Sequence, residues 1–172
     1  MQSEEFISRS FVLRRDMLNF YDVDKKYVQF LKTIDKQVPN IEYHTNNKFV
    51  CGVVLDIHGV KYYAPISHMT NKQRTNMLIY DKGKPISSIR FSFMIPAFDE
   101  VLTKKNFADI AKTDAAYADL LASEYDYCKL HLQDIQEKAL AVYKIGCNKE
   151  HVLNYTCCDF QKLEEHYKEY QK

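Results

Sequence analysis

The stretch 48–68 constrains the fold more than any other part of the chain. Two apolar runs, 49–57 and 60–66, are separated only by His58-Gly59, a pair that is typical of a tight turn. Apolar runs of this length joined by so short a turn predict a β-hairpin. A hairpin that is apolar along its length and polar at one end can serve as the platform of a functional site.

Polar and charged side chains stand at the open end of this hairpin. Lys48 precedes the first strand, while Ser67 and His68 follow the second. If the strands pair around the turn, all three residues lie at the same edge of the sheet. A cation beside a hydroxyl and an imidazole suits phosphodiester chemistry, in which negative charge develops on phosphoryl oxygens. Lys72 and Arg74 add two cations in the polar loop that follows.

The charge of the chain permits nucleic-acid binding on part of the surface only. The formal net charge is +1, but residues 1–96 hold 14 Lys and Arg against 9 Asp and Glu, whereas residues 97–172 hold 10 against 14. A global charge near zero argues against indiscriminate polyanion binding, and a positive first half permits a local basic groove. Scattered solvated charges would give the same counts.

Length and composition limit the domain count and the compartment. A chain of 172 residues is long enough for one compact core and short for two. Residues 1–16 are charged and have no long apolar run, so we expect an extension or leader, not a secretory signal, before one domain at 17–172. No stretch approaches the roughly 20 apolar residues that span a bilayer. Five irregularly spaced cysteines indicate reduced thiols in a cytoplasmic protein.

Periodicity predicts mainly strands in the first half of the chain. A short strand over 18–23 precedes a helix that Asp24 caps and that ends at Val38-Pro39-Asn40. After the hairpin, further strands are predicted over 77–80 and 86–95, on either side of a turn.

Helices are predicted in the second half. A short helix is expected around 104–111, and a long one runs from Asp114 to about Tyr143 with one apolar stripe. A last helix follows Thr156, with Asp159 three residues later in a pattern like a capping box. Strands followed by helices indicate an α+β domain with an antiparallel sheet.

An ordered set of short motifs gives the chain a family resemblance. None is specific alone, but together they follow one order from roughly residue 17 to residue 170. They are Asn19-Phe20-Tyr21-Asp22-Val23, Lys26-Tyr27 with Leu31, Val38-Pro39-Asn40, the hairpin, Phe93-Met94-Ile95-Pro96, and Thr156-Cys157-Cys158-Asp159-Phe160 with Leu163-Glu164-Glu165 and Tyr167. In this set the chain resembles the endoribonucleases of type III toxin–antitoxin systems, the ToxN/AbiQ family.

The resemblance implies a fold, an activity and a partner. The fold would be a twisted antiparallel sheet forming a partly closed SH3-like barrel, related to the Kid/MazF toxins, with helices packed around it. The activity would be sequence-specific, metal-independent cleavage of cellular or phage mRNA in abortive infection, leaving 2′,3′-cyclic phosphate and 5′-hydroxyl ends. The partner would be a small antitoxin RNA of repeated, pseudoknotted units that the enzyme processes and that bridges the subunits of an assembly. No cofactor and no membrane are implied.

The resemblance also suggests roles for residues at the end of the hairpin. It places a lysine, here Lys48, beside the scissile phosphate, and a pair of small hydroxyl residues where this chain has Ser67 and His68. Ser67 matches that pair, whereas His68 departs from it and could supply an acid–base group that titrates near neutral pH. A family lysine shortly after the pair is carried to Lys72, at a different spacing, as a further catalytic cation.

Three residues are expected to contact RNA. Arg74 lies in the cationic loop and suits a phosphate. Tyr27 matches a tyrosine that lies near the site in the family's first helix, although its helical spacing equally suits the core. Tyr43, in the loop before the hairpin, is expected to stack on a base of single-stranded RNA.

Two other classes of protein fit the same residues. A non-catalytic module could bind single-stranded RNA with the basic groove and the aromatic side chains, and a pure interaction domain would use its tyrosines only in the core. Each site residue also has a plainer role: edge charge for Lys48, a turn cap for Ser67, and solvated side chains for His68 and the loop cations.

No metal site is predicted. Cys147, Cys157-Cys158 and His166 lack the paired two-residue spacing of a zinc site. The adjacent Asp99 and Glu100 point apart on any regular element, so the sequence gives no support for two-metal hydrolysis.

Overall fold

The structure is a computed structural model that describes residues 18–40 and 48–171. The strands are β1 (Asn19–Val23), β2 (Val50–Ile57), β3 (Val60–Ser67), β4 (Asn76–Asp81), β5 (Lys84–Arg90), β6 (Ile95–Pro96) and β7 (Leu102–Lys104). The α-helices are α1 (Lys25–Ile34), α2 (Phe107–Ala111), α3 (Ala115–Leu130), α4 (Leu132–Cys147) and α5 (Phe160–His166). The expected extension at 1–16 and the candidate Tyr43 lie outside the described residues.

The strands form one antiparallel sheet, as predicted for an α+β fold. Their order is β4-β5-β3-β2-β1-β7, and β6 pairs with β3 away from that path. In the described part of the chain the sheet stays open between β4 and β7. β3 lies at its centre, since it pairs with β2, β5 and β6.

The predicted hairpin consists of β2 and β3, which pair around a turn at His58-Gly59. Both turn residues have positive φ, 52° and 83° respectively, which matches the twist of the strands and suits glycine at the second position. The Gly59 N–H also donates to Asp56 Oδ1 at 2.8 Å. The pairing register shifts between Gly52 and Leu55, where β2 is irregular.

The first helix, α1, begins where the sequence predicts and ends earlier. Asp24 Oδ1 accepts the N–H groups of Lys26 and Tyr27, at 2.8 and 3.2 Å, so the predicted N-cap is confirmed. The end predicted at Val38-Pro39-Asn40 is wrong by several residues, because Asp35 takes an extended conformation and closes the helix with its N–H on Leu31. The following residues form a turn.

The long helix predicted from Asp114 to Tyr143 is broken at His131. Its apolar stripe is largely buried as predicted, but the chain forms α3 and α4 as two helices with His131 at φ −113° between them. The His131 ring stacks on Tyr127 with centroids 4.1 Å apart, and its Nδ1 lies 3.3 Å from Asp134. No proline or glycine marks the break in the sequence.

The last helix, α5, is capped by Asp159 and not by Thr156. Asp159 Oδ1 accepts the Lys162 N–H at 3.1 Å. Thr156 ends a short 3₁₀ turn and donates its hydroxyl to the Leu153 carbonyl at 2.6 Å. The predicted capping box is therefore wrong, since each residue stabilises a separate turn.

One hydrophobic cluster joins buried side chains from Leu18, just before β1, to Tyr167 after α5. The helices cover the sheet through this cluster and so fix the strands that carry the candidate site. All five cysteines are in the described residues and none forms a disulfide. In the described part of the chain, no helix is long and apolar enough to cross a membrane.

Candidate functional site

The register of the hairpin brings its two ends together. The β2–β3 pairing continues past the start of β2, because the Ile66 N–H donates to the Phe49 carbonyl at 3.2 Å. The same register, continued by one residue, sets Lys48 opposite Ser67. The two residues therefore come to the same edge of the hairpin, where cross-strand neighbours have Cβ atoms about 5 Å apart.

The row of paired residues extends from Ser67 onto two further strands. Ser67 pairs with Ser88 of β5, and Ser88 pairs with Leu78 of β4. Directly paired residues point to the same face of a sheet, so the Ser67 hydroxyl shares a face with Leu78. Two strand spacings, about 10 Å, separate the backbones of these two residues.

Ser67 keeps a hydroxyl proton for a ligand. The side chain is half-buried, and its Oγ accepts the Met69 N–H at 3.3 Å, which caps the turn after β3. A hydroxyl that accepts one N–H still has its own proton to donate. The turn-cap role and a role toward substrate are therefore compatible.

The loop between β3 and β4 carries the other candidate residues and is held in shape by Asn76. Its buried side chain accepts the Gln73 N–H and donates to the Asn71 carbonyl, both at 2.9 Å. Lys72 and Arg74 lie exposed on this loop, and His68 is exposed at its start. A loop fixed by internal hydrogen bonds can present cations at a defined place.

Lys138, on α4, joins this cationic loop and was not predicted. Burial lowers the pKa of Lys138, and the nearby charges of Lys72 and Arg74 lower it further. The three cations therefore lie close enough to repel one another. Lys138 belongs to the acidic half of the chain and lies next to the apolar stripe of its helix. No feature of the sequence therefore identified it as a site residue.

A cleft of about 430 Å³ lies beside the loop, between β4 and α4. Lys72 and Lys138 line it together with aromatic and acidic side chains: Tyr80, Tyr127, Asp134 and Glu137. Leu78, at the end of the row that begins at Lys48, belongs to the same lining. The cleft and the candidate catalytic edge are therefore about two strand spacings apart.

Tyr27 takes the core position that its helical spacing predicted. Its side chain has no exposed surface, and its hydroxyl donates to the Pro96 carbonyl at 2.6 Å. Its ring packs against Phe98 and Tyr170, with centroids 5.4 and 5.2 Å away. The alternative role, contact with RNA, stays a prediction, and in this conformation the ring has no free face for a base.

A buried carboxyl group lies under β5. Glu124 of α3 has 1% of its side chain exposed, and its Oε2 has no hydrogen-bond partner among the described residues. Burial raises its pKa to about 7, and the nearby Ser87 hydroxyl offsets part of that rise. Ser87 adjoins Ser88, the residue that pairs with Ser67.

A metal site does not emerge from the described side chains. Across residues 18–40 and 48–171, no three His, Cys, Asp or Glu residues come together as a group able to hold an ion. The chemistry that the arrangement offers is that of cations, a hydroxyl and an exposed imidazole at the end of the hairpin.

Sequence comparison connects this chain to proteins of known activity. The family model described as the toxin ToxN of type III toxin–antitoxin systems matches residues 19–168. Endoribonuclease ToxN of Bacillus thuringiensis subsp. kurstaki is 25% identical over 92% of this chain and 87% of its own length. Endoribonuclease ToxN of Pectobacterium atrosepticum is 25% identical over 90% of this chain and 95% of its own length.

Solved structures share the fold. One belongs to a study of selective toxin inhibition by a non-coding RNA pseudoknot in bacterial type III systems, with a TM-score of 0.83, 25% identity, and 90% of this chain and 98% of that one covered. Another, from an antiviral system regulated by a processed non-coding RNA, gives 0.77 at 24% identity over 90% and 99%. The lactococcal anti-phage endoribonuclease AbiQ gives 0.78 at 23% identity over 90% and 98%.

Proposed function

Since the chain belongs to the ToxN toxin family of type III toxin–antitoxin systems, we propose that it is a sequence-specific, metal-independent endoribonuclease toxin restrained by a small RNA. The observation that carries the proposal is the register that sets Lys48 opposite Ser67, next to the cationic loop. A fixed cation and a hydroxyl donor at one edge can stabilise a phosphorane without reorganisation.

The reaction we propose is transesterification within the RNA. The 2′-hydroxyl oxygen attacks the adjacent phosphorus in line, and the bond from phosphorus to the 5′-oxygen of the next nucleotide breaks. The 2′-hydroxyl proton passes to a base on the protein, and the leaving 5′-oxygen receives a proton from an acid. The products are a 2′,3′-cyclic phosphate and a 5′-hydroxyl, and no water or metal ion is consumed.

Four side chains divide the work in this mechanism. Lys48 and the Ser67 hydroxyl neutralise charge on the non-bridging oxygens, and Lys72 assists them from the loop. His68, exposed at the start of that loop, or one of the lysines moves protons to and from the 2′- and 5′-oxygens, because an imidazole or an amine can act as general acid and base. The same positions suit product release, since all four side chains are exposed or half-buried.

The RNA partner and the biological role follow from the family. A relative's solved structure concerns toxin inhibition by a non-coding RNA pseudoknot, and the basic loop of this chain suits such a ligand. We propose that the toxin processes a repeated precursor RNA and keeps the cleaved end in its site, so that the product occludes the substrate. Released in the cytoplasm during phage infection, it would cleave cellular or phage mRNA.

The relation to SH3-like barrels of the Kid/MazF type is also part of the proposal. Its support is the central strand β3, whose first half pairs with β6 and whose second half pairs with β5, while β2 runs along its other side. A strand that changes partners in this way bends the sheet towards closure.

The experiment that tests the activity compares Ser67→Ala and Lys48→Ala with the wild type. Loss of one preorganised donor costs about 10²–10³ in rate, so each variant should fold normally, cleave RNA poorly and fail to arrest growth. Lys61→Ala is the matched control, because Lys61 is an exposed lysine near the turn at the other end of the same hairpin.

Mass spectrometry of the RNA ends is the decisive readout. Cyclic phosphate ends from the wild type and the control, absent in both site variants, would support the mechanism. A wild-type protein that binds RNA without cleaving it would be a non-catalytic RNA-binding module. Full activity in a well-folded Lys48→Ala variant would mean that Lys48 is a surface charge without a catalytic role.

A further inference from the structure

The cleft between β4 and α4 has the size and the lining of a nucleobase site. Its volume of about 430 Å³ falls in the range of pockets that bind small ligands. Lys72 belongs both to this lining and to the candidate catalytic loop. Leu78 connects the cleft to Ser67 through the paired row, about 10 Å away across two strands. Because exposed Lys72 belongs to both places, a nucleotide next to the scissile phosphate can reach the cleft across the loop.

The aromatic part of the lining offers a stacking surface. Tyr80 is 39% exposed, one of few large hydrophobic side chains in the described residues with so much free surface. Its ring centroid lies 6.1 Å from that of Tyr127, which stacks in turn on His131. The contact with His131 limits the movement of the Tyr127 ring. Stacking of one base on an aromatic side chain contributes about 1–3 kcal/mol to single-stranded RNA binding.

The acidic part of the lining decides which bases fit. Asp134 and Glu137 both line the cleft. Glu137 is held by Gln133 Nε2 at 3.0 Å, and Asp134 by His131 Nδ1 at 3.3 Å. An ionised carboxylate only accepts hydrogen bonds, so it suits the exocyclic amino group of adenine, cytosine or guanine. Uracil has no amino group, and its single base-edge donor, the N3–H, lies between two carbonyl oxygens that an ionised carboxylate repels.

The charges also determine how the RNA lies. The two carboxylates disfavour a phosphate next to them, while Lys72 and Lys138 attract one to the part of the lining beside the loop. The arrangement therefore favours the base beside the carboxylates and the RNA backbone beside the lysines. A cleft meant only for a polyanion would have no use for the carboxylates.

We propose that this cleft binds the base of a nucleotide flanking the scissile phosphate and selects an amino-bearing base over uracil. The proposal deepens the proposed function and rests on it. Tyr80 supplies the stacking surface, and Glu137 reads the amino group. Both are specificity-determining residues that do not touch the reacting atoms.

The test uses the full chain and a pool of short RNAs randomised around one fixed cleavage position. In one arm the pool is all ribose, and sequencing of the cleaved ends gives the base preference at each position. In the other arm the fixed position carries a 2′-deoxy sugar, which cannot cleave, and selection of bound RNA gives the binding preference. Wild type, Tyr80→Ala, Glu137→Gln and the control Glu150→Gln are compared, because Glu150 is exposed and outside the cleft.

Wild type and control should disfavour uracil at one flanking position by about tenfold or more, in both arms, as expected for a charged hydrogen bond. Glu137→Gln should reduce that preference at this position only, and Tyr80→Ala should weaken binding of every base there by about tenfold. If both variants cleave with the wild-type preference, the inference is wrong while the endoribonuclease stands. If the preference is seen in binding but no variant or wild-type protein cleaves, the inference stands and the proposed activity fails.

Discussion

Glu124 should make the protein less stable as the pH rises through the neutral range. The carboxyl group is 1% exposed, and burial raises its pKa to about 7 from an ordinary value of 4.5, with Ser87 offsetting part of the rise. A carboxyl with a raised pKa in the folded state binds its proton more tightly there than in the unfolded chain. Its folded state is therefore favoured at low pH and penalised once the group ionises.

The size of the effect follows from the shift. Below pH 4.5 the Glu124 carboxyl is protonated in both the folded and the unfolded state, so its ionisation does not lower the free energy of unfolding. Between 4.5 and 7 the unfolded chain releases the proton first, and the free energy of unfolding falls. Each pKa unit corresponds to 1.36 kcal/mol, so the change from 4.5 to about 7 amounts to about 3 kcal/mol. Above pH 8 the loss is complete and constant.

Urea unfolding of wild type and Glu124→Gln at pH 4.5 and pH 8 measures this loss. Glutamine keeps the shape without the charge, so the variant should match the wild type within about 1 kcal/mol at pH 4.5 and exceed it by about 3 kcal/mol at pH 8. Glu100→Gln, at an exposed position, controls for net charge and should show no such divergence. Parallel pH curves for wild type and Glu124→Gln would refute the reasoning and mean that the buried carboxylate is stabilised by water or rearrangement.

Three further outcomes follow from the structure and the proposed mechanism. RNA cleavage should persist in excess EDTA, whereas loss on chelation with recovery in Mg²⁺ would contradict a reaction run by Lys48, Ser67 and His68. The complex with antitoxin RNA should dissociate to monomeric toxin after ribonuclease digestion, as measured by light scattering; an oligomer that keeps its mass without RNA would be held by protein contacts. The logarithm of the RNA affinity should decrease with the logarithm of the salt concentration, with a slope of about −0.7 per neutralised phosphate. Tyr27→Phe should destabilise the fold by about 1–3 kcal/mol in thermal unfolding, because the buried Pro96 carbonyl loses its donor; unchanged stability together with weakened RNA binding would move Tyr27 to the site.

The parts of the fold that depend on local sequence could be predicted from it. The hairpin follows from two apolar runs and a turn at His58-Gly59, and the pairing of Ile57 with Val60 follows from the turn length. That Lys48 and Ser67 come to one edge could be expected without a structure, but their direct pairing depends on the register shift between Gly52 and Leu55, which the sequence did not predict. The N-cap of α1 at Asp24 is equally local.

What the sequence could not reveal depends on contacts between distant segments. The break at His131 is a local exception, since no proline or glycine marks it and the apolar stripe continues through it. Lys138 reaches the loop only because α4 packs beside β4, and the cleft exists only in that packing. In the sequence Tyr80 looks like an ordinary strand residue. The sheet order places β4 at the end of the sheet, and the ring of Tyr80 is therefore partly exposed.

Three cations gathered at one place argue for an anion that binds between them. Lys72 and Arg74 come from the positive half of the chain and Lys138 from the acidic half, and their mutual repulsion together with burial lowers the pKa of Lys138. Because Lys72 and Arg74 are exposed, solvent screens much of this repulsion and its cost in stability is small. A phosphate between the three would give each cation an anionic neighbour and favour the charged form of Lys138. An RNA phosphate bound here would therefore raise the pKa of Lys138, which is the response we expect of a binding site.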